Sequence, residues 1–71
     1  MLDYIFNMKN WSPKNIKDLR RKYKLYQQDF GKLLGVTANY IYLMEKGVKK
    51  PSKTLRLLLD CREKQLHENK K

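Results

Sequence analysis

The chain has 71 residues, 41% hydrophobic and 34% charged, too apolar to be wholly disordered and too short for more than one domain or a deep substrate pocket. No run approaches the roughly 18 apolar residues of a membrane span. Seventeen Lys and Arg stand against seven Asp and Glu, a formal charge of +10 at pH 7, which draws the chain to a polyanion: nucleic acid, an anionic membrane surface or an acidic protein.

Residues 1–12 form an N-terminal extension in which Leu2, Ile5 and Phe6 fit either a short helix or an extended arm, packed on the core or at a dimer seam. Ser12-Pro13 is the first firm signal, because serine suits an N-cap and proline the first helical position. Ile16, Leu19 and Tyr23 then recur at helical spacing amid lysines and arginines, placing a first helix at about 13–24. Gln27 to Leu34 is a two-turn helix with Phe30, Leu33 and Leu34 inward, too short to stand without tertiary packing. Gly35 suits a left-handed cap, and Thr37 an N-cap, so a tight corner leads into a third helix over Ala38 to about Lys46. Ile41 and Met44 point to the core, leaving Ala38, Asn39, Tyr42, Leu43 and Lys46 outward. Gly47 ends that helix, and Val48-Lys49-Lys50-Pro51 is a basic loop. Ser52 caps the fourth helix, with Leu55, Leu58, Leu59 and Leu66 inward and a second strip of Leu57 and Cys61 beside them. The expected core also includes Leu25, Val36 and Val48, and residues 67–71 read as a frayed basic tail. The bundle proper is thus expected at 13–66.

Candidates for chemistry are few. A single cysteine, Cys61, excludes an internal disulfide, and with no secretory pattern at the N-terminus the chain is expected in the cytoplasm. Cys61 and His67 lack the companions that nucleophilic or metal chemistry needs, since a closed zinc site usually takes four ligands. Gly31, Gly35 and Gly47 are too scattered to cradle a phosphate as a loop. No enzyme, no metal and no cofactor is expected.

From Gln27 to Gly47 the sequence resembles the helix-turn-helix of Cro/C1-type (XRE-like) regulators. That pattern opens with Gln, matched by Gln27, and has a small residue at Gly31 and Leu-Gly-Val at Leu34, Gly35 and Val36. It continues with Ser or Thr at Thr37 and a β-branched residue at Ile41, and closes with Glu45 and Gly47. Ile16-Lys17-Asp18-Leu19-Arg20 and Pro51-Ser52 before Leu55 resemble the flanking helices, so the likeness covers residues 13–60. It implies an all-α, lambda-repressor-like bundle of four core helices. Three positions depart from the pattern: Gly31 replaces a usual alanine, Met44 a common tryptophan, and Tyr26 a usual Ser or Thr cap.

The resemblance also implies roles. Gly31, Gly35, Val36, Ile41 and Met44 would form the joint and its core. The third helix would lie in the major groove, with Ala38, Asn39, Tyr42 and Leu43 toward the bases; Asn39 suits adenine, and the others can meet a thymine methyl. Gln27 would contact phosphate, assisted by Gln28 and by the helix start at Thr37. Lys46, Lys49, Lys50 and Lys53, joined by Lys14 and Lys17, would position the backbone without reading sequence. Glu45 would turn from the phosphates toward Arg20 or Lys50. The plain alternatives are a solvated charged face for the lysines and a protein contact for Tyr42 and Leu43.

The expected function is sequence-specific binding of double-stranded DNA as a small repressor that occludes a promoter, most simply as a homodimer. Its seam would be the Leu57/Cys61 strip or the Leu2/Ile5/Phe6 segment. Two rivals share the fold: an antitoxin that binds operator DNA and a toxin, and a protein-interaction module whose helix-turn-helix does not read DNA.

Overall fold

The computed structural model describes residues 11–68 and folds them into four helices, α1 Pro13–Lys22, α2 Gln27–Leu34, α3 Ala38–Lys46 and α4 Lys53–Glu68. The all-α bundle expected from the helical spacing is present. Leu2, Ile5 and Phe6 lie outside the described residues. Two helix ends differ from expectation: α1 stops at Lys22 instead of Lys24, and α4 runs through His67 to Glu68, past the point where composition suggests a frayed tail.

Hydroxyl caps set three of the four helix starts. Ser12 Oγ accepts from Asn15 N at 3.2 Å, Thr37 Oγ1 from Tyr40 N at 3.1 Å, and Ser52 Oγ from Leu55 N at 3.2 Å. Each satisfies one amide that lacks an intrahelical partner. Tyr26 precedes α2 and makes no side-chain cap.

The ends of α1, α2 and α3 share one device. After α1, Lys24 N donates to Arg21 O at 2.9 Å and Leu25 N to Arg20 O at 3.3 Å; Gly35 with Val36 and Gly47 with Val48 repeat this paired return after α2 and α3. The geometry is a Schellman turn, whose pivot adopts positive φ. Gly35 takes φ 77° without strain, whereas the first pivot is Lys24 at φ 59°. This explains the early end of α1: the chain unwinds into the left-handed region without a glycine to mark it. A side chain there costs roughly 1–2 kcal/mol, partly offset by the extra freedom a glycine has when unfolded. Lys24→Gly should therefore raise stability by about 0.5–1 kcal/mol, read as a higher urea midpoint; a lower midpoint would contradict the strain.

Ile16 and Leu19 from α1, Phe30 and Leu34 from α2, Ile41 and Met44 from α3, and Leu55 and Leu59 from α4 meet in one buried cluster. Leu25, Leu33, Val36, Leu58 and Leu66 pack around it, half-buried. Val48 does not join them, contrary to expectation: it is 71% exposed. Its backbone N–H bonds Leu43 O at 2.9 Å, so the turn holds the amide while the side chain is left in solvent.

Trp11 completes the core from outside the helices. Its ring is buried, and Nε1 donates to Asp60 Oδ1 at 2.9 Å across 49 positions of sequence. Asp60 is itself buried and its Oδ2 has no partner, so the indole bond is what offsets the removal of this carboxylate from water. A second strut joins α1 to α4, the Tyr23 hydroxyl donating to Arg62 O at 2.5 Å. Burial pushes the Tyr23 phenol above its ordinary pKa, partly countered by the Arg62 guanidinium.

The joint of α2 and α3 depends on Gly31. A Cβ placed there would sit 2.6 Å from Val36 O and 3.1 Å from Thr37 C, both backbone atoms. The usual family alanine does not fit this close approach. Gly31→Ala would gain up to about 1 kcal/mol of helix propensity, but prying the helices apart costs about 1–3 kcal/mol. The expected result is a lower urea midpoint; an unchanged or higher one would show that the joint opens freely.

Candidate nucleic-acid interface

The surface of α3 divides by helical geometry. Ile41 and Met44 are fully buried, and with 3.6 residues per turn this puts Ala38, Asn39, Tyr42, Leu43 and Lys46 on the opposite side. Asn39 and Lys46 are exposed, Tyr42 is 45% exposed, and Ala38 and Leu43 are half-buried flanks. An exposed aromatic ring beside an exposed amide is costly to leave in water and useful against a base edge. Lys46 Nζ lies 5.7 Å from the Tyr42 ring centroid, close enough for cation–π attraction.

Glu45 lies between α3 and its neighbours. Arg20 grips it with two bonds, Nε to Oε2 at 2.7 Å and Nη2 to Oε1 at 3.1 Å, while Arg20 Nη1 donates to Leu25 O at 3.0 Å. Of the two partners proposed from charge, Arg20 is the one that pairs. Gln27 Nε2 also donates to Glu45 Oε1 at 3.2 Å. The acid that would repel a polyanion is thereby neutralised and turned inward. The amide of Gln27, at the start of α2, is held in place.

Lys17, Arg20, Gln27, Tyr42, Glu45 and Lys46 line a shallow cleft of about 240 Å³. It brings together two expected phosphate ligands, Gln27 and Lys46, one expected base reader, Tyr42, and Lys17 of α1. Gln28 and Thr37 are exposed near the starts of α2 and α3, and Lys49 and Lys53 are exposed in and after the basic loop, but none of the four lines this cleft. Lys14 is engaged with Asp18, Nζ to Oδ2 at 3.1 Å, one turn along an exposed face. Lys50 faces a different cleft, together with Arg56, a residue to which sequence patterning gives no role. Only its proximity to Trp11, visible once the chain is folded, draws attention to it.

A two-turn helix, a left-handed glycine, and a second helix packed across the first with a polar and aromatic outer face define a helix-turn-helix unit, the class of fold that presents a helix to DNA. A helix-turn-helix family model matches residues 16–59, more than half of the chain. The protein belongs to the Cro/C1-type (XRE-like) helix-turn-helix family and is a DNA-binding helix-turn-helix regulator. Neither a curated protein nor a solved structure matches it. No described helix is long and apolar enough to cross a membrane.

Proposed function

We propose that the protein binds a specific sequence in double-stranded DNA by laying α3 in the major groove, and represses transcription by occluding a promoter. The observation that carries this reading is the outer face of α3, where Asn39, Tyr42 and Lys46 are exposed above a buried Ile41–Met44 side. In this reading Asn39 pairs with adenine, while Tyr42, Ala38 and Leu43 meet thymine methyl groups. Gln27 supports them from the phosphates, assisted by Gln28, Thr37 and the lysines Lys46, Lys49, Lys50 and Lys53, which fix register without reading sequence. Selection from randomised duplexes tests it. A short enriched motif supports the reading; retention that depends strongly on salt but enriches no motif would reduce it to charge alone.

A second copy would double the length of DNA that is read. Leu57, 36% exposed, and Cys61, also exposed, lie one turn apart on α4 and offer an apolar strip for that seam. The expected motif is then a pair of inverted half-sites about one helical turn apart. Sedimentation should show a dimer that Leu57→Lys splits; an unchanged sedimentation coefficient in the variant would remove Leu57 from the seam.

A further inference from the structure

A second cleft, of about 300 Å³, opens between the start of α1 and the start of α4, lined by Trp11, Ser12, Pro13, Lys50, Pro51 and Arg56. Among the described residues its walls hold two cations and no carboxylate. Arg56 lines the cleft half-buried, and its Nε is shut off from solvent without a hydrogen-bond partner, a costly state for a charged donor. Asp60, one turn further along α4, does not relieve it: Oδ1 takes the Trp11 indole and Oδ2 makes no hydrogen bond. The beginnings of two helices, capped by Ser12 and Ser52, add their positive ends on the same side.

We propose that this cleft is a phosphate-binding site, with Arg56 and Lys50 as its cationic donors. A tetrahedral oxyanion can meet donors from the Lys50 loop, Arg56 and the helix starts at once, whereas a planar carboxylate offers oxygens in only two directions. The site is separate from the outer face of α3. The same group comes from the backbone of a bound duplex or from a free phosphorylated molecule, and only the first source rests on the DNA reading above.

Trp11 is the single tryptophan of the chain, so its fluorescence reports on the core and the cleft wall that its ring joins. Inorganic phosphate, titrated against chloride at constant ionic strength, should give a saturable change. Arg56→Gln should weaken that response roughly tenfold or more, the usual scale for a bond to a charged group. Lys22→Gln removes the same charge from an exposed site outside the cleft and should leave the response unchanged. Far-UV circular dichroism checks that each variant is folded, and Lys50→Gln, in an exposed loop, serves if Arg56→Gln does not fold. No saturable response, or equal weakening by Lys22→Gln, overturns the proposal and leaves the reading of α3 standing. Loss of the phosphate response on saturation with duplex, with weaker DNA binding by Arg56→Gln, assigns the phosphate to the DNA backbone. A response that persists in the complex, with DNA affinity unchanged in Arg56→Gln, assigns it to a free phosphorylated ligand.

Discussion

Glu45→Ala is expected to destabilise the domain by about 3–5 kcal/mol, the cost of leaving one member of a buried ion pair without its partner. The side chains of Arg20 and Glu45 are only 15% and 6% exposed, so water cannot replace the two bonds that Arg20 would lose. A chain of 71 residues has roughly 4–10 kcal/mol of stability in total, and the variant should therefore be largely unfolded at modest urea. Arg20→Met combined with Glu45→Leu should recover much of the loss, because apolar replacement of a whole buried pair is often neutral. Urea denaturation of the three variants decides the matter. A loss below about 1 kcal/mol in Glu45→Ala would place the pair in the class of solvent-screened surface bridges.

The second large effect separates reading from attraction. Asn39→Ala and Tyr42→Ala should each remove about 1–3 kcal/mol of discrimination between the selected site and a mismatched one, while the dependence of affinity on salt stays as it was. Lys49→Gln with Lys53→Gln should do the reverse. Affinity falls for every duplex, and the slope of log K against log salt becomes shallower by about 2, since each phosphate contact contributes about 0.9. Titrations of both duplexes at several salt concentrations give both quantities at once. If the lysine pair changed the ratio between sites and Asn39→Ala changed only the slope, the roles assigned to these side chains would be interchanged.

The outline of this fold is readable from local chemistry. Ser12, Thr37 and Ser52 announce their helices, Gly35 and Gly47 end two of them, and Ile41 and Met44 orient α3 by spacing alone. What escapes is what depends on distance along the chain. Trp11 precedes the first helical repeat, and its partner Asp60 occupies a position that periodicity treats as polar surface; nothing local joins residues 49 apart. Lys24 misleads in the opposite sense, because its backbone takes a glycine-like conformation without a glycine. Val48 is apolar and follows a turn, and only the direction of its side chain decides that it is not core.

The candidate interface shows the same division. The outward set on α3 follows from helical geometry, and charge logic turns Glu45 toward a basic partner. That Gln27 shares that carboxylate, and that Lys17 and Lys46 border the same cleft as Tyr42, are tertiary facts. Arg56 is the clearest omission. On the sequence it is one more basic residue of a helix; in the fold it lines a cleft with Trp11 and Lys50, and its Nε is buried without a hydrogen-bond partner.

The central claim is that α3 reads base edges in the major groove, and substituted bases in the selected duplex test it most directly. Replacing guanine by inosine removes only the minor-groove amino group, whereas 7-deazapurines remove only the major-groove N7 acceptor. The account predicts that 7-deaza substitution at one or more positions weakens binding roughly tenfold or more, and that inosine leaves it unchanged. Loss of binding with inosine alone would put the contact in the minor groove and contradict the assignment of α3.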